Sequence, residues 1–66
     1  MATVTIDFYD GPSVTDTFET REDAQHAYTD ADWAACMAPT DQYGRVKRIT
    51  LRASDGTTIK TRAYPT

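Results

Sequence analysis

The sequence has one cysteine, Cys36, and one histidine, His26. A lone cysteine excludes an internal disulfide framework, and a single histidine beside it leaves too few soft ligands for a structural zinc site. No apolar run approaches the ~20 residues that a membrane-spanning helix needs. The opening MATVTIDFYD alternates apolar and polar residues and carries acids where a signal or transit peptide carries bases. A cytoplasmic location with no membrane partner is therefore expected. Phosphate-binding glycine loops, dinucleotide fingerprints, HExxH and CxxC are also missing.

At 66 residues, from Met1 to Thr66, the chain reads as a complete small gene product, one domain over residues 1–66 with one core. A domain of this size buries only about 60% of the surface its unfolded chain exposes, so each large apolar side chain matters to stability. The candidates are Val4, Ile6, Phe8, Val14, Phe18, Tyr28, Trp33, Met37, Val46, Ile49, Leu51 and Ile59.

The net charge of -3 hides a strong asymmetry. Residues 1–44 hold nine acids and one base, a net of -8, and residues 45–66 hold six bases and one acid, a net of +5. The halves either neutralise each other inside the fold, which is the expectation, or present separate patches to different partners.

Residues 2–9 alternate, with Ala2, Val4, Ile6 and Phe8 on one side, as a half-buried strand does. Asp10-Gly11-Pro12-Ser13 is a turn signal, and residues 13–19 resume a β pattern with Val14 and Phe18 on one face and Asp16 between them. An inward charge predicts an edge strand or a bulge near Asp16. Thr20-Arg21-Glu22-Asp23 has capping-box spacing and predicts a helix start, and Pro39 bounds that helix.

A continuous helix puts Ala24, Ala27, Tyr28, Ala31, Ala35 and Ala38 on one face and leaves His26, Trp33 and Met37 opposite. A kink or split near Thr29 is the expected form, because Thr29-Asp30-Ala31-Asp32 repeats the capping spacing. A second short helix would also turn Trp33, Cys36 and Met37 inward. After a linker over residues 39–44, residues 45–53 and 57–64 read as a second hairpin. A three-residue loop, Ser54-Asp55-Gly56, with a left-handed glycine predicts Leu51 opposite Ile59, Ile49 opposite Thr61 and Arg48 opposite Arg62. A two-residue loop would set Leu51 against Lys60 and Ile49 against Arg62, mixing apolar and charged groups. Lys47 is expected at the end of the inner face, reaching solvent or Asp16. The fold class is thus α+β, a four-stranded antiparallel sheet with a helix on one face.

Cys36 and His26 are the one nucleophile and base worth pairing, and on one helix they stand about 15 Å apart along the axis. Glu22-Asp23 and Asp30-Asp32 lack the spacing of a calcium loop and are explained by helix starts. No catalytic residue, cofactor or metal is assigned, and the chain is not expected to be an enzyme. Two surfaces are left as candidates for partner binding. One is basic, with Arg48, Arg52, Lys60, Arg62 and Tyr64 on the open side of the second hairpin. The other is acidic, with Glu19, Glu22, Asp23, Asp30 and Asp32 around the helix, joined by Trp33 and Met37 if the helix is continuous.

The expected partner is another protein or protein complex. Nucleic acid on the basic face is the alternative, against which stand the absent RRM motifs and a pI near 4.7. A homodimer joining acidic to basic half is a third arrangement. In its short, acidic, motif-free profile the chain resembles small accessory inhibitors of phages and mobile elements, including anti-CRISPR proteins and DNA mimics. That resemblance implies docking on a larger macromolecule.

Overall fold

A computed structural model describes residues 1–37, 40–41 and 44–64. The elements are β1 (Ala2–Phe8), β2 (Val14–Phe18), α1 (Arg21–Met37), β3 (Thr40–Asp41), β4 (Gly44–Arg52) and β5 (Thr58–Ala63). The four longer strands form an antiparallel sheet in the order β2-β1-β4-β5, and the short β3 pairs with the start of β4. The stretch expected as a plain linker thus holds a two-residue strand. The Ala38-Pro39 stop signal and Gln42-Tyr43 lie outside the described residues.

Alternation decides which face of the sheet is covered. Val4 lies across from Leu51 and Ile6 from Ile49, while Phe8 meets Val46 after a bulge at Lys47. These residues, with Ala2, face α1, and Leu51 and Ile49 are fully buried. On β2, Val14 and Phe18 share the inner face with Asp16, and β2 is an edge strand in unbroken register with β1. The inward carboxylate of Asp16 makes continued strand pairing at that edge unfavourable.

The helix starts where the capping spacing predicts. The Thr20 hydroxyl accepts the Asp23 N–H at 3.1 Å, and the Thr20 carbonyl accepts the Ala24 N–H at 3.2 Å. It then runs unbroken to Met37, so the expected kink or split near Thr29 does not occur. Continuity keeps Ala24, Ala27, Tyr28, Ala31 and Ala35 in one line against the sheet, with Ala24, Tyr28 and Ala35 buried. Four alanines let the helix lie close to the sheet, and a break would dismantle that face. Threonine and aspartate inside a helix cost at most about 0.7 kcal/mol each, less than the packing they would interrupt. The consequence is that Trp33 and Met37, expected in the core, stay 67% and 68% exposed.

In the second hairpin the loop is as expected and the register is not. Ala53 and Thr57 close the turn, with the Ala53 N–H donating to the Thr57 carbonyl at 2.8 Å and the Gly56 N–H donating to the Ala53 carbonyl at 3.0 Å. Gly56 has φ +89°, the left-handed conformation that glycine adopts without strain. The Asp55 carboxylate accepts the Thr57 N–H at 2.9 Å, which holds its pKa below the ordinary value.

Arg52 pairs with Thr58, but Leu51 then pairs with Lys60, Ile49 with Arg62 and Arg48 with Ala63. Ile59 is the extra residue of a bulge. Both Ile59 and Lys60 fall opposite Leu51, so Ile59 still packs on the core while every residue beyond it changes face. The bulge also separates Arg48 from Arg62, which the simple register would have set side by side. Lys47, itself the bulged residue of β4, lies with its Nζ 5.9 Å from the centre of the Tyr9 ring, not against Asp16.

Candidate functional site

The residues expected to form one basic face lie on two. Arg48 and Arg52 stay on the open side of the sheet. Lys60, Arg62 and Tyr64 pass to the helix side, where α1 receives them. The Lys60 ammonium sits over the ring of buried Tyr28 at 5.5 Å. Arg62 donates from one nitrogen to both carboxylate oxygens of Asp32 at 3.2 Å and stacks over Tyr64 at 5.7 Å. The Tyr64 hydroxyl donates to the same carboxylate, and the Cys36 thiol lies 4.0 Å from it. Asp32, expected on the acidic docking surface, is therefore the clasp between α1 and the edge strand β5. Tyr64 Cα follows the strand, and its carbonyl accepts the Tyr9 hydroxyl at 2.8 Å.

Among the described residues, Arg62–Asp32 is the one ion pair. Among those residues the two charged halves meet in one ion pair, and Asp7 of the acidic half also lies across from Arg48 of the basic half. Partial burial, the hydrogen bond to Asp32 and that residue's charge raise the pKa of Tyr64 above the ordinary 10.0. Burial, then Asp32, does the same for Tyr28, with Arg62 acting in the opposite direction. The unfolded chain loses these protons first, so their contribution to stability is whole below about pH 10 and falls as pH rises beyond it. Melting temperatures measured across that range should drop, and Tyr64→Phe should flatten the drop.

The outer side of α1 carries the second group. Glu22, His26, Thr29, Asp30, Trp33 and Met37 fall within about 100° of one another around the axis, opposite the alanine face. Glu22, Gln25, His26, Thr29 and Asp30 line a shallow depression, and Trp33 and Met37 follow it toward the C-terminal end. Glu19 and Asp23 are exposed at the N-terminal end of the same helix. Acids thus occupy the first half of the stripe and large apolar side chains the second. Cys36 and His26 are ten residues apart on this unbroken helix, about 15 Å along its axis, and do not meet. Among the described residues no three metal-ligating side chains gather, and no helix is long and apolar enough to cross a membrane.

The third surface is the uncovered face of the sheet. Register sets its side chains in rows: Thr17, Thr3, Arg52 and Thr58; then Thr15, Thr5, Thr50 and Thr61; then Asp7, Arg48 and Ala63. The middle row is joined by hydroxyl contacts of 3.0 Å between Thr5 and Thr15 and 3.2 Å between Thr50 and Thr61. Arg48 donates to the Thr61 hydroxyl at 3.2 Å, and the Ser13 hydroxyl donates to Asp7. The threonine repetition was visible in the sequence. Its gathering into rows depended on a strand order that the sequence left open. Comparison of the chain with protein-family models, with characterised proteins and with solved structures finds no match.

Proposed function

We propose that the chain is a non-catalytic protein-binding module that docks through the outer stripe of α1. One observation carries this reading: Trp33 is 67% exposed on a continuous helix, next to Asp30 and one turn from exposed Met37. A 66-residue domain has few large apolar side chains to spend on its core, and this one leaves its only tryptophan outside. Aromatic anchors flanked by charges are the usual source of affinity at protein interfaces, each worth about 2 kcal/mol or more. Obstruction of a larger macromolecule, as by the small phage and mobile-element inhibitors, is one use of such a surface.

The nucleic-acid alternative on a single face of Arg48, Arg52, Lys60, Arg62 and Tyr64 is not favoured, since the Ile59 bulge divides those residues between two sides. Affinity capture with the tagged chain from its source cell should recover a saturable protein partner. Trp33→Ala should weaken that complex at least about tenfold. Glu22→Lys and Asp30→Lys should weaken it at low salt more than at high salt. Recovery of no saturable partner, or of one indifferent to Trp33 and Asp30, would overturn the proposal.

A further inference from the structure

The open face of the sheet lies on the other side of the domain from the α1 stripe. We infer that this face is a separate binding site for the phosphodiester backbone of a single-stranded nucleic acid, held by Arg48 and Arg52 and the hydroxyls of Thr58, Thr3 and Thr17 in the row of Arg52.

Four observations support the assignment. Arg48 is exposed, and its one side-chain partner among the described residues is the Thr61 hydroxyl, which fixes the guanidinium while leaving its other N–H donors free. Arg52 has no carboxylate within ion-pair distance among those residues. The one acid in the three rows, Asp7, accepts the Ser13 hydroxyl and stands across from Arg48 without pairing with it at ion-pair distance, and the acids of α1 lie across the sheet. The occupant these features complement is anionic, extended and rich in acceptors.

Arginines four residues apart on one strand stand about 13 Å from each other; Thr50 between them is buried and bonded to Thr61, and the threonine hydroxyls left for a ligand stand beside Arg52. Arginine and hydroxyl donors are the groups that proteins present to phosphate oxygens. No aromatic side chain belongs to the three rows, so there is no stacking platform for bases and binding is indifferent to sequence. The bipolar charge distribution makes this compatible with an acidic chain, because the local field of a patch, not the net charge, meets the ligand.

The test uses fluorescence anisotropy of the whole chain with a labelled oligothymidylate of about 20 nucleotides and with a mixed sequence of equal length. Both should bind alike, and with two phosphate contacts the affinity should fall about sevenfold between roughly 50 and 200 mM salt. Arg48→Glu with Arg52→Glu should weaken binding at least about tenfold, and Asp7→Asn should strengthen it about twofold. Lys60→Glu changes net charge as each arginine variant does but sits on the helix side, and should leave affinity unchanged within about twofold. Thermal melting confirms that each variant is folded. Absence of saturable binding at low salt would overturn the inference, as would equal loss on Lys60→Glu, or binding of polyglutamate in place of DNA. The assay involves no protein partner, so either result leaves the α1 reading to its own test.

Discussion

Leu51→Ala is expected to remove about half of the folding free energy. Leu51 is fully buried, lies across from Val4, and anchors the central pair of strands under α1. Removing most of a buried leucine costs about 2 to 5 kcal/mol in transfer energy and residual cavity. A chain of 66 residues has a total of about 3 to 10 kcal/mol to lose. Urea titration should show the midpoint falling by about 2 M or more, or no cooperative transition at all. Trp33→Ala is the matched control. If Trp33 were packed inside a broken helix its truncation would cost about 3 to 5 kcal/mol, whereas on the exposed stripe it should move stability by no more than about 0.5 kcal/mol. A large loss for Trp33→Ala would refute the continuous helix.

Asp32→Ala should produce the largest effect of any change to a polar side chain in the described residues, about 2 to 3 kcal/mol. Its carboxylate accepts the Tyr64 hydroxyl and the Arg62 guanidinium, tying the middle of α1 to the edge strand. A hydrogen bond to a charged group contributes roughly 1.5 to 3 kcal/mol, and an ion pair with a partner as exposed as Arg62 adds less than about 1. Asp32→Asn keeps an acceptor for Tyr64 and should cost about half as much. Urea midpoints for Asp32→Ala, Tyr64→Phe and the double variant form a cycle. Its coupling should exceed about 1 kcal/mol, and additive losses would show that Tyr64 and Asp32 do not act together.

What the sequence revealed, and what it concealed, follows from how local each feature is. The Thr20 cap, the alternation of β1, the inward Asp16 on an edge strand and the glycine of the Ser54-Asp55-Gly56 loop are set within a few residues, and all were legible. The bulges at Lys47 and Ile59 were not, because a single inserted residue has no composition of its own and is selected by what lies on the far side of the strand. Here that is Asp32 and Tyr28, which receive Arg62, Tyr64 and Lys60 only when those residues have changed face. The continuity of α1 was hidden for a related reason. Thr29 to Asp32 looks like a second cap, and Asp32 is instead committed to Arg62 and Tyr64, 30 and 32 residues away in sequence. Trp33 was assigned to the core on the general tendency of tryptophan to be buried, and an alanine face had already filled the space.

The uneven placement of the two charge signs also bears on the timing of encounters. Among the described residues one ion pair joins the two signs, and the bases other than Arg21 lie on β4 and β5 while most of the acids lie on or beside β2 and α1. A molecule so divided is a small electric dipole, and it turns in the field of an approaching partner before any atoms touch. Orientation during diffusion raises the frequency of productive collisions and leaves the lifetime of the complex to the buried anchors. Salt would then slow arrival more than it hastens departure.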